Sequence, residues 1–95
     1  MDQVWGYVLD VHDGDTFTID ISSVRSGNAY EYADVERVRL RSVSAPELHD
    51  PEGRAARDRL RRQIGGKRVR LDVHSRGPYK RLIADVDANP TWGRR

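Results

Sequence analysis

A mainly β (α+β) chain, small enough to close as one five-stranded barrel with a single short helix, is the fold class this sequence predicts. Three observations carry the expectation. Two runs rich in β-branched and aromatic residues, 4–12 and 16–22, flank Asp13-Gly14, the signature of a tight hairpin turn. Apolar residues then recur at every second position further along the chain, as they do in half-buried strands. An apolar period of four is found between Asp50-Pro51 and Gly65-Gly66, where it marks one helix.

Taken in order, the first strand runs from Val4 to His12 and the second from Thr16 to Ser22, with Phe17, Ile19 and Ile21 on one face and Thr16, Thr18 and Asp20 on the other. Trp5 and Tyr7 share a face of the first strand and read as core packing. A polar stretch centred on Ser26-Gly27-Asn28 is a second turn, at the tip of a long hairpin that carries Arg25, Tyr30 and Tyr32. These three residues either stack on bases or pack on the barrel. Residues 35–43 alternate again, Val38 and Leu40 opposite Arg37, Arg39 and Arg41, which makes one face apolar and one cationic. Asp50 then stands as N-cap, Pro51 at the first helical position and Glu52 in the first turn. Ala56, Leu60 and Ile64 form the buried stripe, and Gly65-Gly66 is the stop. Val69, Leu71 and Val73 mark a fourth strand, completing βββαβ, and residues 80–87 add a fifth. This is the order of an OB-type barrel, which closes its sheet edges and suits oligonucleotide ligands. Residues 1–88 are expected to form the domain and 89–95 a C-terminal tail.

Ninety-five residues leave room for one hydrophobic core. The absence of cysteine excludes a disulfide framework, a thiol nucleophile and a thiolate-bound zinc. No run is long and apolar enough for a signal segment or a membrane span, so a cytoplasmic protein without membrane contact, and a monomer, is the expectation. The formal net charge of +2 conceals an asymmetry. Residues 1–36 hold eight acids against Arg25 alone, whereas residues 54–70 hold eight bases against Asp58 alone. Fifteen of the seventeen cations are Arg, whose planar fork matches phosphate and carboxylate better than an ammonium does. The basic run is either a solvated helix face or a patch for a polyanion, whose binding would weaken steeply with salt.

Three separated stretches can carry chemistry. Asp13 and Asp15 place two carboxylates two residues apart beside Thr16, where they repel each other unless hydrated or neutralised by a cation. An Asp-Gly hairpin with a second Asp is also common on surfaces, so this turn alone does not identify a site. Arg39 to Glu47 ends a strand in Ser44-Ala45-Pro46 followed by an acid, Pro46 fixing the local backbone. Tyr79-Lys80-Arg81 opens the last strand with an aromatic and two cations. Both arginines could equally be solvent-facing strand residues paired with acids, and Glu47 a plain turn carboxylate. His12, His49 and His74 have no metal-ligand spacing and are given no role.

Together these stretches resemble the staphylococcal nuclease (thermonuclease-like) family over roughly residues 4–87. Asp13-Gly14-Asp15-Thr16 matches its first motif, which implies Asp15 as a direct calcium ligand and Asp13 as a residue behind it. Arg39, Ala45, Pro46 and Glu47 match the second motif: Arg39 is then a phosphate-binding catalytic arginine, Glu47 the general base and the Ala45 carbonyl a metal ligand. Tyr79-Lys80-Arg81 is similar to the third, making Arg81 the second catalytic arginine, with Tyr79, Lys80 and Arg41 at the substrate. Departures are as informative. Ser44 stands where the family has a second metal-ligating Asp, Lys80 where it has Gly, and Gly77 where an Asp precedes the Tyr. The family's C-terminal helices have no counterpart after the last strand.

The resemblance implies a divalent-cation-dependent nuclease, an endonuclease-type phosphodiesterase, acting on DNA or RNA, single-stranded by expectation. Ser44 weakens its calcium site, because calcium is held chiefly by carboxylate charge. Each donor aimed at the transition state is worth about 3–4 kcal/mol. The alternatives are a non-catalytic barrel that binds nucleic acid through the same arginines, and a protein-interaction domain using the basic helix.

Overall fold

In the computed structural model, which describes residues 1–90, alternation and turn chemistry resolve into β1 (Asp2–Asp13), β2 (Thr16–Val24), β3 (Val35–Leu40), α1 (Pro51–Ile64), β4 (Arg68–Arg76), a short 3-10 turn (Pro78–Lys80) and β5 (Leu82–Asp87). The strands close into a barrel in the order β1-β2-β3-β5-β4, an OB-fold-like architecture. Every pairing is antiparallel except β3 with β5, where Val38, Arg39 and Leu40 stand beside Leu82, Ile83 and Ala84.

The inward face of each strand supplies the core. Val4, Val8, Phe17, Ile19, Val38, Val69, Leu71, Val73, Leu82 and Ala84 are almost fully enclosed, and Leu60 and Ile64 of α1 extend the core. Full burial of each large side chain contributes about 1.5–3 kcal/mol. The 12-residue β1 pairs on both sides, with β2 and β4, and irregularities in its β2 register at Trp5/Gly6, Val8/Asp10 and Val11/Asp13 bend it around the barrel.

Several expectations are corrected in detail. The apolar β1 residues with inward side chains are Val4, Val8 and Val11, so Trp5 is half-buried and Tyr7 exposed on the outside rather than packed in the core. The third strand ends at Leu40, not residue 43: Leu40 N–H to the Asp15 carbonyl (2.8 Å) and Arg41 N–H to the Ala84 carbonyl (2.9 Å) are its last backbone bonds to neighbouring segments before the loop. The fifth starts at Leu82, since Tyr79 and Lys80 take left-handed backbone angles (φ 61° and 60°) that no strand admits. Asp50 does occupy the N-cap position of α1, but its carboxylate makes no capping hydrogen bond. Of the tail expected over 89–95, residues 91–95 lie outside the described residues.

The long β2–β3 connection folds back onto β1. Asn28 exchanges side-chain hydrogen bonds with the backbone of Gln3, and the buried Asp2 carboxylate accepts from Ala29 N–H (2.7 Å), Tyr30 N–H (2.9 Å) and the Tyr32 hydroxyl (2.7 Å). Among the described residues no helix is long and apolar enough to cross a membrane.

Candidate active site

The Asp13-Gly14-Asp15-Thr16 turn is not an ordinary surface hairpin. Gly14, Asp15 and Thr16 are buried, and a Cβ on Gly14 would fall 2.7 Å from Ala45 Cβ and 2.8 Å from Ala56 Cβ. Only glycine lets the turn seat against both the β3–α1 loop and the helix. The loop is held from the other side by Gly53 of α1, where a Cβ would overlap the Glu47 carbonyl. Two glycines thus fix the distance between the acidic turn, the Ala45–Glu47 segment and the first turns of α1.

This packing places a carboxylate where water is scarce. The Asp15 side chain is 11% exposed, and burial of a charge is costly unless it is paired and hydrogen-bonded. Asp15 Oδ1 accepts from the Thr16 hydroxyl (3.0 Å), and Oδ2 accepts from Ala45 N–H (3.1 Å) and faces Arg39 Nη2 at 3.5 Å. Asp13 Oδ1 accepts from Asp15 N–H at 2.9 Å. Burial, followed by its hydrogen bond to the Asp15 carboxylate, raises the Asp13 pKa. Burial pushes Asp15 up as well, but the hydrogen bonds from Asp13, Ala45 and Thr16, with the nearby Arg39 charge, outweigh it and leave Asp15 below the usual range. The two acids therefore divide their roles, Asp13 retaining a proton more readily and Asp15 carrying the charge. Perturbed carboxylates of this kind gather at functional sites, and ion-pair networks also produce them.

Cations line the same outer face. Val38 and Leu40 point inward, so Arg37 and Arg39 point outward, and Arg41 follows beside Asp85 (3.7 Å). Arg81 directly precedes Leu82, the partner of Val38, which places it next to Arg37 and one outward position below Arg39. Arg37 is thus the additional cation of this stripe; the alternation of 35–43 carries its signal. Arg81 Nε donates to the Pro78 carbonyl (3.4 Å), and its guanidinium stands 5.8 Å from the Tyr79 ring, which is 90% exposed. Lys80, exposed, keeps the left-handed geometry that a glycine would hold without strain, at a cost of roughly 1–2 kcal/mol.

Not all expected residues converge. The structure brings Asp13, Asp15, Thr16, Arg39 and Ala45 together. Glu47 projects into solvent with 79% of its side chain exposed, its carboxylate 3.3 Å from His49 Nδ1. His49, given no role from sequence, is therefore its neighbour, an adjacency set by the Glu47 carbonyl accepting from Asp50 N–H. Tyr30 and Tyr32 face Arg76 rather than the acidic turn. Ser44 is exposed at the mouth of a groove of about 740 Å³ between α1 and the barrel, also lined by Gly14, Ala45, Leu60, Ile64 and Val86. Among the described residues no three acidic or imidazole groups are gathered to hold a metal ion. The Asp13 and Asp15 carboxylates share the turn, and the Ser44-Ala45 segment adjoins them through the Ala45 N–H.

Comparison with known proteins finds relatives for part of the chain. No protein-family model matches the chain. Three rice (Oryza sativa subsp. japonica) proteins, named as probable staphylococcal-like nucleases CAN3, CAN2 and CAN1, are 40%, 38% and 34% identical to it over 53, 53 and 50 residues. The alignments cover 53–56% of this chain and 14–15% of the relatives, so the chain corresponds to a small part of those longer proteins.

Proposed function

We propose that the chain, similar to the staphylococcal-like nucleases over the matched residues, binds nucleic acid on the β3/β5 face and hydrolyses its phosphodiester bonds. The observation that carries the reading is Asp15, a buried charge seated between Ala45 N–H and Arg39 at the head of a stripe of outward arginines. An apolar core gains nothing from such a charge, whereas a carboxylate beside arginines can hold a cation that in turn meets a phosphate.

Arg39 and Arg81 supply guanidinium forks to the non-bridging oxygens of one phosphate, where charge grows as the water attacks. Glu47, whose exposed side chain stands outside the Asp15–Arg39 cluster, turns towards the phosphate to take the proton of that water. Arg41 and Lys80 meet flanking phosphates, and the exposed Tyr79 ring offers a surface for a base. An open outer strand face favours a single-stranded substrate, whose backbone can follow it.

The acidic pair fits a hard divalent cation, calcium by family resemblance. Burial, then the hydrogen bond to Asp15 and, less, the Asp15 charge raise the Asp13 pKa, and a bound cation would favour its ionised form. Asp15, Asp13, the Ala45 carbonyl and the Ser44 hydroxyl would hold it, and when bound it supplies positive charge beside the phosphate. With Ser44 in place of a carboxylate its affinity would be weak, and a substrate phosphate would add the missing negative charge.

Ser44 also favours a second reading, a barrel that binds nucleic acid without turnover. The deciding experiment incubates labelled single-stranded DNA and RNA with the folded protein and millimolar calcium, beside Glu47→Gln. Cleavage that drops on the order of 100-fold or more in the variant supports the enzyme. Salt-sensitive binding with no cleavage supports the second reading, and absence of both overturns the two together.

A further inference from the structure

Arg76 is the busiest side chain among the described residues, and nothing in the proposed chemistry uses it. It ends β4, opposite Leu82 of β5. Its guanidinium makes a two-point fork on Glu36, Nη2 to Oε2 at 2.9 Å and Nη1 to Oε1 at 3.2 Å. The same two nitrogens donate to the Glu31 carbonyl (2.8 Å) and the Lys80 carbonyl (3.2 Å), and the group stands 6.0 and 5.6 Å from the Tyr30 and Tyr32 rings.

We infer that Arg76, aligned by Glu36, is a positioning residue for Arg81: through the Lys80 carbonyl it fixes the turn from which Arg81 reaches the phosphate. This rests on the proposed nuclease reading. The turn requires an outside anchor. Tyr79 and Lys80 are successive left-handed residues without a glycine, a conformation that persists only when its surroundings over-determine it. Its internal ties are Gly77 N–H to the Arg81 carbonyl at 2.8 Å and the long Arg81 N–H to Pro78 carbonyl contact at 3.4 Å. Arg76 adds a bond from the barrel wall to the carbonyl immediately before Arg81. Glu36, inward-facing at the start of β3, is itself fixed by Ala33 N–H at 2.8 Å. The chain of contacts therefore runs from β3 through Glu36 and Arg76 to Lys80, and orients the cation that directly precedes β5. Lysine could not replace Arg76, because it lacks the planar fork that serves the carboxylate and two carbonyls at once.

A double-mutant cycle tests this, with Arg76→Lys and the milder Glu36→Gln each measured alone and in an Arg81→Ala background, reading kcat and KM on a single-stranded oligonucleotide. Small misplacements of a reacting group cost up to about 100-fold, so Arg76→Lys should lower kcat by about tenfold or more with a smaller change in KM. In the Arg81→Ala background the same substitution should change kcat by less than about twofold. Equal fold losses in both backgrounds would overturn the positioning role and leave a purely structural one. Amide exchange is read in parallel: at Gly77 and Arg81 it should quicken by about tenfold in Arg76→Lys, while Leu71 and Val73 keep their protection. Unchanged exchange at Gly77 and Arg81 would also overturn the inference. If the unmodified protein cleaves nothing, the nuclease reading fails and the exchange result judges the turn-holding role by itself.

Discussion

Arg39 Nη2 lies 3.5 Å from Asp15 Oδ2, so the guanidinium proposed to meet a phosphate is also the counter-ion of the acid proposed to meet a cation. The pairing follows from register, because Thr16 stands opposite Arg39 and Asp15 is its neighbour in the turn. At that length the contact is loose enough to yield when phosphate arrives. Arg39→Lys keeps the charge and loses the fork. It should lower turnover on the order of 100-fold while leaving thermal stability within a few degrees. Steady-state kinetics with a melting curve on the same sample checks both parts; retained turnover would remove Arg39 from the site.

Ser44 sits next to Ala45, whose N–H touches Asp15. Ser44→Asp adds a third carboxylate to the donor set, and it should tighten calcium binding by about tenfold or more. Isothermal titration with calcium measures it. An unchanged dissociation constant would show that the acidic turn is not a cation site.

Lys80 occupies φ 60°. Glycine adopts that angle without the steric penalty, so Lys80→Gly should stabilise the fold by about 1 kcal/mol in urea denaturation. A destabilised variant would mean that the lysine side chain holds the turn.

Acid should unfold the protein through particular carboxylates. Backbone N–H groups of Ala29 and Tyr30 hold Asp2 below its ordinary 3.8. Burial raises Glu36, but Arg76 and Ala33 N–H overcome it and leave it below its ordinary 4.5. Depressed folded values mean that the unfolded chain binds these protons first. Their stabilisation is complete above the unfolded values and is lost as pH falls through the folded ones. Asp13, raised by burial and by Asp15, opposes this in the same window. Stability should therefore decline from about pH 5 towards about pH 2, and Glu36→Gln should flatten the slope while costing about 1–3 kcal/mol at neutral pH. Denaturation curves across the pH series test it, an unaltered slope counting against the Glu36 assignment.

What the sequence made legible was local. Asp13-Gly14, the alternation of Phe17 and Ile19, and Pro51 to Gly65 each carry their structure within a few neighbours, and all appear where expected. The phase of β1 was not legible, because bends at three register irregularities decide which side Trp5 and Tyr7 face. Nor was the Asp2, Glu36 and Arg76 network: Arg76 and Glu36 are forty residues apart and meet only when the barrel closes. The site was legible as separate stretches, whereas the burial of Asp15 came from Gly14 packing on Ala45 and Ala56, which no motif spells out.

The acidic turn, the Ala45 loop and the two arginines are proposed to address a single phosphate. Titrating the isotopically labelled protein with a nucleoside 3′,5′-bisphosphate and calcium, and following amide shifts by NMR, tests it most directly. Saturable shifts are expected together at Asp15, Arg39, Ala45 and Arg81. Shifts confined to the basic face of α1, or no saturation at all, would contradict that proposal.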